Sequence, residues 1–427
     1  MKRIYMFGEG NKSQKNLLGG KGANLSEMKT MGVPVPGGYT ITTDMCTDYY
    51  ANGGQNSKEL LADMREYTAR LEKETGKEFG STSNPLLLSV RSGARVSMPG
   101  MMDTILNLGL NDAAVAGMIE KTGNPKFVWD IYRRFIHMFG EVVQGVEYDL
   151  FEEVLVKIKE DNNYDGNLEL TAEDWKSVSE QYLAIVEKAT GVPFPQDPYT
   201  QLEMAVNAVF ESWDTPRAIY YRNHNGIEHS WGTAVNVQEM VFGNTSDNSG
   251  TGVLFTRNPK TGENVVWGEF LFNAQGEDIV AGIRTPLKLE DFAAVSPAIY
   301  KELTDILDNL EAHYKDMQDV EFTIEEGKLF ILQTRGGKRT GAAGIKIAVD
   351  MVAEGLLTKK EAVNSIDVNA IDQLLHPVFK EEAMANAEIL TTGLAASPGA
   401  ASGKIVFSSE KAAALKEETG EKLLLFR

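Results

Sequence analysis

Two arginines lie on a stretch of small residues in a chain that is otherwise acidic. The stretch LLLSVRSGARVSMPGMMDTI places Arg91 and Arg95 among serines, alanine and glycines, directly after an apolar run. A guanidinium stays charged at any working pH, and its planar fork matches the oxygens of a phosphate. The apolar run predicts a buried strand that ends before Arg91, and ligands gather at such strand ends in α/β sheets. We therefore expect Arg91 to contact phosphate, with pairing of each arginine to a nearby carboxylate as the alternative.

A further basic residue lies in a cluster of glycines. The stretch LLGGKGANLSEM surrounds Lys21 with three glycines and continues into a helix that places Leu25 and Met28 on one face. Glycine lets the backbone approach a ligand closely, and a helix N-terminus offers free N–H groups to phosphate. The spacing is not that of the P-loop, because no Ser or Thr follows the lysine. The stretch predicts either a phosphate-binding loop that carries Lys21 or a glycine turn with a solvated lysine.

The stretch DVEFTIEEGKLFILQTR alternates polar and apolar residues on both sides of a turn. Alternation places Asp319 and Glu321 on one face of the first strand. A three-residue EGK loop pairs these two carboxylates with Arg335 and Gln333, whereas a two-residue loop puts the polar sets on opposite faces. Mg²⁺ takes oxygen ligands together with substrate phosphates, and an arginine can meet the phosphate charge that the metal leaves uncovered. We predict a magnesium site of Asp319, Glu321 and Gln333 beside Arg335; an exposed hairpin face with cross-strand pairs is the alternative.

Two other stretches carry weaker signals. VQEMVFG predicts either an adenine slot lined by Gln238, Met240 and Val241 or a plain interior strand. SGTGVLFTRNPKTGE predicts either another glycine loop near phosphate or an ordinary hairpin. The five histidines are not spaced as metal ligands, and no serine-hydrolase motif is present.

The elements that must position these residues follow from the hydrophobic pattern. The N-terminal quarter predicts short strands, glycine loops and helices. Apolar residues at three- and four-residue spacing predict helices through 111–200, with a helix-start cap formed by Thr171 and Asp174. Strand patterns fill 233–335, and helices return at 340–390. A glycine-proline turn then leads to a strand, and the apolar stretch EKLLLFR indicates an interrupted domain.

Composition limits the class of protein. A chain of 427 residues predicts two or three domains. A net charge of −19 argues against general nucleic-acid binding. The chain has one cysteine, which fits a reducing compartment, and its sequence contains neither a signal-peptide core nor a membrane-length apolar run. We therefore expect a cytoplasmic protein without membrane or nucleic-acid partners.

Taken in order, these stretches resemble the N-terminal part of the pyruvate, phosphate dikinase family. The resemblance rests on NLLGGKGANLSEM, RSGARVSMPGMMDT, GTGVLFTRNPKTGE, NAQGEDIVAGIRTP, DMQDVEFTIEEGKLFILQTR and LAASPGAASGKI, and it covers nearly the whole chain. It implies an α+β or α/β architecture, with an ATP-grasp fold of two subdomains over 1–338 and a helical insertion at 111–200. A helical linker at 339–393 and the truncated start of a swivelling phosphohistidine domain at 394–427 would follow.

The resemblance also implies an activity. In the family this domain binds Mg²⁺ and ATP and transfers the β-phosphoryl group of ATP to a histidine, in a reaction that also consumes phosphate. The complete enzyme makes phosphoenolpyruvate, AMP and diphosphate from pyruvate, and its partner domains are the phosphohistidine domain and a pyruvate-binding barrel. None of the five histidines lies in the family's Thr-Ser/Cys-His-Ala run. We therefore expect that this chain alone cannot complete the reaction.

The resemblance assigns roles to the residues that the pattern had already marked. Lys21, Arg91 and Arg335 are the expected catalytic residues. The resemblance also predicts ATP contacts for Lys21, Arg91, Asp319, Glu321 and Gln333, with the metal on the last three. The adenine-slot interpretation of VQEMVFG adds Gln238, Met240 and Val241 to the predicted ATP contacts. Two alternatives stay open: a pyruvate, water dikinase relative, against which the RSGARVSMPGMMDT run argues, and a stand-alone ATP-binding regulatory module.

Overall fold

The computed structural model describes residues 2–280, 285–372, 374, 379–380, 382–383, 386–387 and 401–426. The chain divides into two compact units. The first unit comprises Met1–Leu254, Gly268–Ile306 and Val320–Arg335. The second unit comprises Phe255–Trp267, Leu307–Asp319 and Gly336–Arg427. No helix within the described ranges has the length and apolar character needed to cross a membrane.

Strands and helices alternate irregularly along the chain. The strands are β1 (Ile4–Met6), β2 (Gly38–Ile41), β3 (Leu88–Ala94), β4 (Thr104–Leu108), β5 (Thr233–Glu239), β6 (Gly250–Phe255), β7 (Trp267–Phe272), β8 (Gln318–Glu325), β9 (Lys328–Gly336), β10 (Lys404–Val406) and β11 (Leu423–Leu425). The α-helices are α1 (Lys15–Thr30), α2 (Thr43–Ala51), α3 (Lys58–Thr75), α4 (Asp112–Thr122), α5 (Pro125–Val142), α6 (Tyr148–Asn162), α7 (Ala172–Thr190), α8 (Pro198–Glu211), α9 (Pro216–Asn225), α10 (Gly276–Val280), α11 (Leu289–Val295), α12 (Pro297–Tyr314), α13 (Gly341–Ala353), α14 (Lys359–Ser365), α15 (Val368–Asp372) and α16 (Ser409–Thr419). Short 3₁₀ helices occupy Lys12–Gln14, Asn167–Glu169, Ser212–Asp214 and His229–Trp231.

The first unit contains a five-stranded sheet in the order β1-β2-β5-β3-β4, with every neighbouring pair antiparallel. The architecture is therefore α+β, the first of the two predicted classes, and the strand-end argument for Arg91, which was taken from α/β sheets, does not apply to this antiparallel sheet. The predicted strand end is also wrong, because β3 continues to Ala94 and Arg91 lies in its middle, opposite Asn236 of β5. The small residues Gly93 and Ala94 pair with Ala234 and Thr233, so the ladder continues past the arginine.

Helices predicted for 111–200 are present as α4 to α7 and the start of α8. Helix α5 illustrates why they form: Pro125 occupies its first turn, the Asn124 side chain caps it, and apolar residues recur along one buried face. Helix α7 begins with the predicted cap, in which Thr171 and Asp174 exchange side-chain and backbone hydrogen bonds. The buried faces of these helices join the core of the five-stranded sheet.

A second sheet in the first unit has the order β7-β6-β8-β9. Its β6 carries glycines for packing reasons. A Cβ atom on Gly252 would lie 2.4 Å from the ring of Phe322, and one on Gly250 would lie 2.4 Å from that of Phe270. The Phe270 ring in turn stacks on Phe292 with centroids 4.3 Å apart. GTGVLF therefore forms a strand whose glycines make room for aromatic rings, and the nearness of this stretch to phosphate stays a prediction.

The hairpin between β8 and β9 differs from the prediction. Its turn contains two residues, Glu326 and Gly327, with φ values of 49° and 80°. Two positive φ values are typical of the type I′ turn, whose twist matches that of the strands. The predicted three-residue loop is therefore wrong, and the cross-strand pairings expected from it are displaced by one residue.

The second unit has its own small core, in which Met317 packs with Ile347 and Met351 of α13. Arg257 is fully buried there and forms ion pairs with Glu311 and Glu354. Strands β10 and β11 pair in parallel. The predicted boundary at Leu394 and the linker residues 388–393 lie outside the described residues.

Candidate functional site

A cavity of about 220 Å³ opens in the first unit between strands of its two sheets. One wall is formed by β3, β4 and the end of β5, and the other by β6, β8 and β9. The segment Gln275–Glu277 contributes at the edge. Drug-sized ligands occupy cavities of about 300–1,000 Å³, so this space suits a base or base and sugar better than a whole nucleotide.

The three residues predicted for an adenine slot, Gln238, Met240 and Val241, all line this cavity. Gln238 lies on β5, the central strand of its sheet, and pairs with Gly38 and Ser89 on the two sides. The interior-strand interpretation is therefore correct for Gln238, and binding of adenine by these three residues stays a prediction. The side-chain Oε1 of Gln238 accepts a hydrogen bond from Arg91 at 3.2 Å. Its Nε2 is buried and has no hydrogen-bond partner among the described residues, so a donor is left for a ligand.

Arg91 projects from the middle of β3 and joins the two sheets of the first unit. Its Nη1 donates to Gln238 Oε1 and to the backbone oxygen of Leu332 at 3.3 Å. Its Nη2 donates to Glu321 Oε2 at 3.1 Å and to Gln333 Oε1 at 3.3 Å. The side chain is 13% exposed and that of Glu321 is 30% exposed. The carboxylate pairing that was the alternative for Arg91 is therefore present in the structure.

Glu321 and Gln333 lie together despite the shorter turn. The Nε2 of Gln333 donates to Glu321 Oε1 at 2.7 Å. A strict two-residue hairpin would place these side chains on opposite faces, yet they are in contact; at this point the alternation of buried and less buried residues along β9 also ends, because Gln333 and Thr334 are both buried. The contact predicted from the wrong loop is thus found for a different reason.

Lys21 lies within electrostatic reach of Arg91 because glycines allow α1 to approach β3 closely. These glycines lie within a helix and not in a loop. The glycine stretch lies inside α1, where Gly19 has φ 66° and ψ 171° and breaks the helix into two segments. A Cβ on Gly19 would lie 1.6 Å from the backbone oxygen of Gly93, and one on Gly22 would lie 2.6 Å from Thr40 Oγ1. Only glycine therefore permits this close approach of α1 to β3. The predicted loop is corrected to a kinked helix with Lys21 just past the kink, while Leu25 and Met28 are buried as expected.

The electrostatic environment of Lys21 is unusual. Burial lowers the pKa of its ammonium well below the usual value, and the positive charges of Arg91 and Arg335 lower it further, while Glu321 opposes them. Two arginines, which stay charged, therefore lie within electrostatic reach of Lys21, together with the Glu321 carboxylate. Such an arrangement favours a ligand with several negative charges.

Three other residues that the sequence singled out, Arg335, Asp319 and Arg95, have fewer described contacts with this cluster. Arg335 lies near the end of β9 and interacts electrostatically with Lys21. Asp319 is buried on β8, two residues before Glu321, but belongs to the second unit. Arg95 does not join the cluster; its guanidinium lies over the ring of Trp231, 5.4 Å from the centroid. The structure thus brings together the predicted residues of the first unit, and the role of Asp319 stays a prediction.

Oxygen donors for a metal are present at this cluster. Glu321 and Gln333 supply carboxylate and amide oxygens, which are ligands that Mg²⁺ accepts together with phosphate oxygens. Within the described part of the chain, no group of three or more His, Cys, Asp or Glu side chains is arranged to hold a metal. The cluster thus supplies two oxygen-bearing side chains, and magnesium binding there stays a prediction.

Sequence reasoning missed two groups near the cavity. Asn24, on the same helix as Lys21, donates from Nδ2 to the backbone oxygen of Thr334 at 2.8 Å. Glu277, at the edge of the cavity, pairs with Arg134 of α5. The first has a visible signal, an amide residue on the buried face of a glycine-rich helix, whereas the second joins positions 143 residues apart and has none.

Comparisons with known proteins agree with this picture. The family model described as "Pyruvate phosphate dikinase, AMP/ATP-binding domain" matches residues 15–67, 54–299 and 288–355. The chain belongs to the pyruvate, phosphate dikinase family. It is 53% identical to pyruvate, phosphate dikinase of Clostridium symbiosum, with 100% of this chain and 49% of the relative covered.

Plant members of the pyruvate, phosphate dikinase family are similar to nearly the same degree. Identity is 52% to the chloroplastic pyruvate, phosphate dikinase of Mesembryanthemum crystallinum and 50% to pyruvate, phosphate dikinase 1 of Arabidopsis thaliana. Both alignments cover 100% of this chain, and 45% and 44% of the relatives. The chain thus spans about half the length of the curated relatives it matches.

Proposed function

We propose that the first unit binds ATP together with Mg²⁺ in an ATP-grasp site. The base occupies the cavity beside Gln238, Met240 and Val241, and the phosphates extend toward Lys21 and Arg91. The observation that carries the proposal is that Arg91 lines this cavity and lies within electrostatic reach of Lys21, which also interacts with Arg335. A polyphosphate neutralises such positive charges, and the family match to an AMP/ATP-binding domain supports the same ligand.

Arg91 exchanges partners when the nucleotide binds. Its guanidinium contacts Glu321, Gln333 and Gln238 in the ligand-free chain. A phosphate oxygen pair offers the same fork a stronger bidentate partner. Release of Glu321 and Gln333 from Arg91 then leaves their oxygens available to the metal, with Asp319 as the third predicted ligand. Bound Mg²⁺ supplies charge neutralisation between phosphate oxygens.

Within the complete protein, we propose the activity of the named relatives. This domain transfers the β-phosphoryl group of ATP to a histidine of a phosphohistidine domain, phosphate is consumed, and a pyruvate-binding barrel completes the conversion of pyruvate to phosphoenolpyruvate. AMP and diphosphate are the other products. Lys21, Arg91 and Arg335 stabilise the charge that develops on the transferred group. The domain limits 1–338, 339–393 and 394–427 belong to this proposal.

The direct test is a calorimetric titration of this chain with ATP, with and without Mg²⁺, repeated on Arg91→Ala. We expect saturable binding by the parent and binding at least about tenfold weaker in the variant, because one bidentate charged contact is lost. Arg95→Ala is the matched control, since that arginine stacks on Trp231 and should leave affinity within about twofold. Absence of binding by the parent would overturn the proposal for this chain.

Three further observations test the need for partner domains and the two alternatives. Formation of phosphoenolpyruvate from ATP, phosphate and pyruvate by this chain alone would contradict the need for partner domains. Dependence of the complete protein on phosphate would reject a pyruvate, water dikinase. The coding sequence after codon 427 decides about a stand-alone module, because a frame that continues into a histidine motif excludes it.

A further inference from the structure

Asn24 is a buried amide that links α1 to β9. It lies three residues after Lys21, so both side chains lie on the same side of the helix. It is 7% exposed, and its Nδ2 donates to the backbone oxygen of Thr334 at 2.8 Å. Thr334 stands between Gln333 and Arg335, the two β9 residues of the proposed site. A single hydrogen bond therefore connects the helix that carries Lys21 with the strand that carries those two residues.

Strand β9 needs such support because it is the edge strand of its sheet. Its backbone is held by residues outside that sheet at three points. The N–H of Ile331 donates to Pro34 at 2.8 Å, the oxygen of Leu332 accepts from Arg91, and the oxygen of Thr334 accepts from Asn24. The last two points flank Gln333, which is buried together with Thr334.

The hydrogen bonds of Arg91 and Asn24 to β9 should respond differently when a nucleotide binds. Arg91 is a proposed phosphate contact, so its bond to Leu332 competes with the ligand. Within the described chain, the side chain of Asn24 forms its hydrogen bond to the backbone oxygen of Thr334. This hydrogen bond uses no group that the proposed ligand needs. The Asn24 contact can therefore persist through binding and keep the C-terminal part of β9 in place.

We propose that Asn24 is a positioning residue for the phosphate and metal site. Its amide fixes Gln333 and Arg335 relative to Lys21, and it acts through these side chains without touching the ligand. The proposal rests on the proposed function for its purpose, but the positioning itself is a property of the ligand-free chain. No sequence pattern or family match assigns this role.

The first test measures positioning without any ligand. Hydrogen exchange of the backbone amides in 330–336 is compared between the parent and Asn24→Leu, which has similar volume but no donor. We expect exchange in this segment to be about five- to tenfold faster in the variant, the size typical of one lost buried hydrogen bond. Ser26→Ala is the matched control: Ser26 is fully buried on the same helix, and its hydroxyl has no hydrogen-bond partner within the described residues.

A change confined to Asn24→Leu supports the proposal. Equal exchange in the parent and Asn24→Leu, or equal acceleration in Ser26→Ala, overturns it. If Asn24→Leu does not fold, Asn24→Ala is measured in its place with the same two outcomes.

The second test asks whether positioning serves the proposed site. The affinity for ATP in the presence of Mg²⁺ is measured in a double-mutant cycle of Asn24→Leu and Gln333→Leu. We expect Asn24→Leu to weaken binding about tenfold in the parent but less than about twofold in Gln333→Leu, because Asn24 acts through Gln333. Without Mg²⁺ the effect of Asn24→Leu should be smaller, which a general loss of stability would not produce.

Additive effects in the cycle would overturn the proposed role at the site. Failure of the parent to bind ATP would instead overturn the proposed function, and the exchange experiment would still decide whether Asn24 holds β9. The two failures are therefore distinguishable.

Discussion

Glu321→Gln should change the affinity for ATP in opposite directions with and without Mg²⁺. In the ligand-free chain Glu321 Oε2 holds Arg91 Nη2 at 3.1 Å, so the carboxylate competes with phosphate for the guanidinium. Glutamine keeps the shape but removes the negative charge. Without metal the substitution should strengthen ATP binding, because Arg91 is released and repulsion of the phosphates falls. With Mg²⁺ it should weaken binding, because a proposed metal ligand is lost.

The magnitude follows from the exposure of the pair. A hydrogen bond between charged groups contributes about 1.5–3 kcal/mol when well shielded from water. The two side chains are 13% and 30% exposed, so solvent screening reduces this to about 1 kcal/mol. The gain in affinity without metal is then about fivefold, since 1.4 kcal/mol corresponds to tenfold. With Mg²⁺ the loss should be at least about tenfold, because even residues that only support a metal ligand cost that much.

The assay is calorimetric titration with ATP, with Mg²⁺ or with a chelator. Glu239→Gln is the matched control, because Glu239 also lines the cavity but pairs with Lys77 at 2.8 Å instead of Arg91. Glu321 also favours the protonated form of Lys21, so the titration is repeated about one pH unit lower to reduce that contribution. Changes of the same sign with and without Mg²⁺, or equal effects of Glu239→Gln, would refute the reasoning.

Four other outcomes follow from the structure. Burial lowers the pKa of Lys21 in the free chain, and bound phosphate should raise that pKa again. Above the lowered pKa, ATP binding should therefore be accompanied by uptake of a proton, and the affinity for ATP should fall as pH rises. Lys21→Met should remove this pH dependence in titrations across pH. Arg335→Ala should leave ATP affinity nearly unchanged but slow phosphoryl transfer to an added histidine domain steeply, and equal transfer rates would reject its role. Burial lowers the pKa of His137 to about 4. The contribution of His137 to the free energy of unfolding is therefore complete above pH about 6.5 and falls by up to about 3 kcal/mol as pH drops toward 4, although nearby Glu141 opposes this loss weakly because its own pKa is raised. Urea unfolding of His137→Phe should lack this loss. Arg257→Met should destabilise the second unit by about 3–5 kcal/mol in denaturant unfolding, because it leaves two carboxylates without their buried cation, and a change below 1 kcal/mol would contradict that role.

Much of the site was predictable because residue chemistry and local spacing are properties of the sequence itself. Arg91, Lys21 and Gln333 were marked by their types among small or alternating neighbours, and the structure places them in one cluster. The cap at the start of α7 was equally local, since Thr171 and Asp174 are three residues apart. Each of these predictions requires only the residues of one helical turn or one strand.

The errors arose where distant pairing decides the outcome. The end of β3 could not be placed from its own residues, because β5 carries the partners that extend the ladder to Ala94. The glycine stretch around Lys21 has the composition of a loop, but it lies within α1 and departs from helical dihedral angles at Gly19, where the helix comes close to Gly93. Similarly, Glu326 adopts a positive φ that its residue type disfavours, so the two-residue turn that forms could not be predicted from the residue types.

The ligand-free cluster explains how an acidic chain maintains a basic site. Lys21, Arg91 and Arg335 repel one another, and Glu321 with Gln333 offsets part of that repulsion by direct contact with Arg91. If these oxygens bind the metal when the nucleotide arrives, the same two side chains serve the site in both states. They stabilise the free guanidinium first and the metal afterwards, so the same oxygens have a positively charged partner in both states. This exchange is the reason to expect opposite effects of one substitution with and without Mg²⁺.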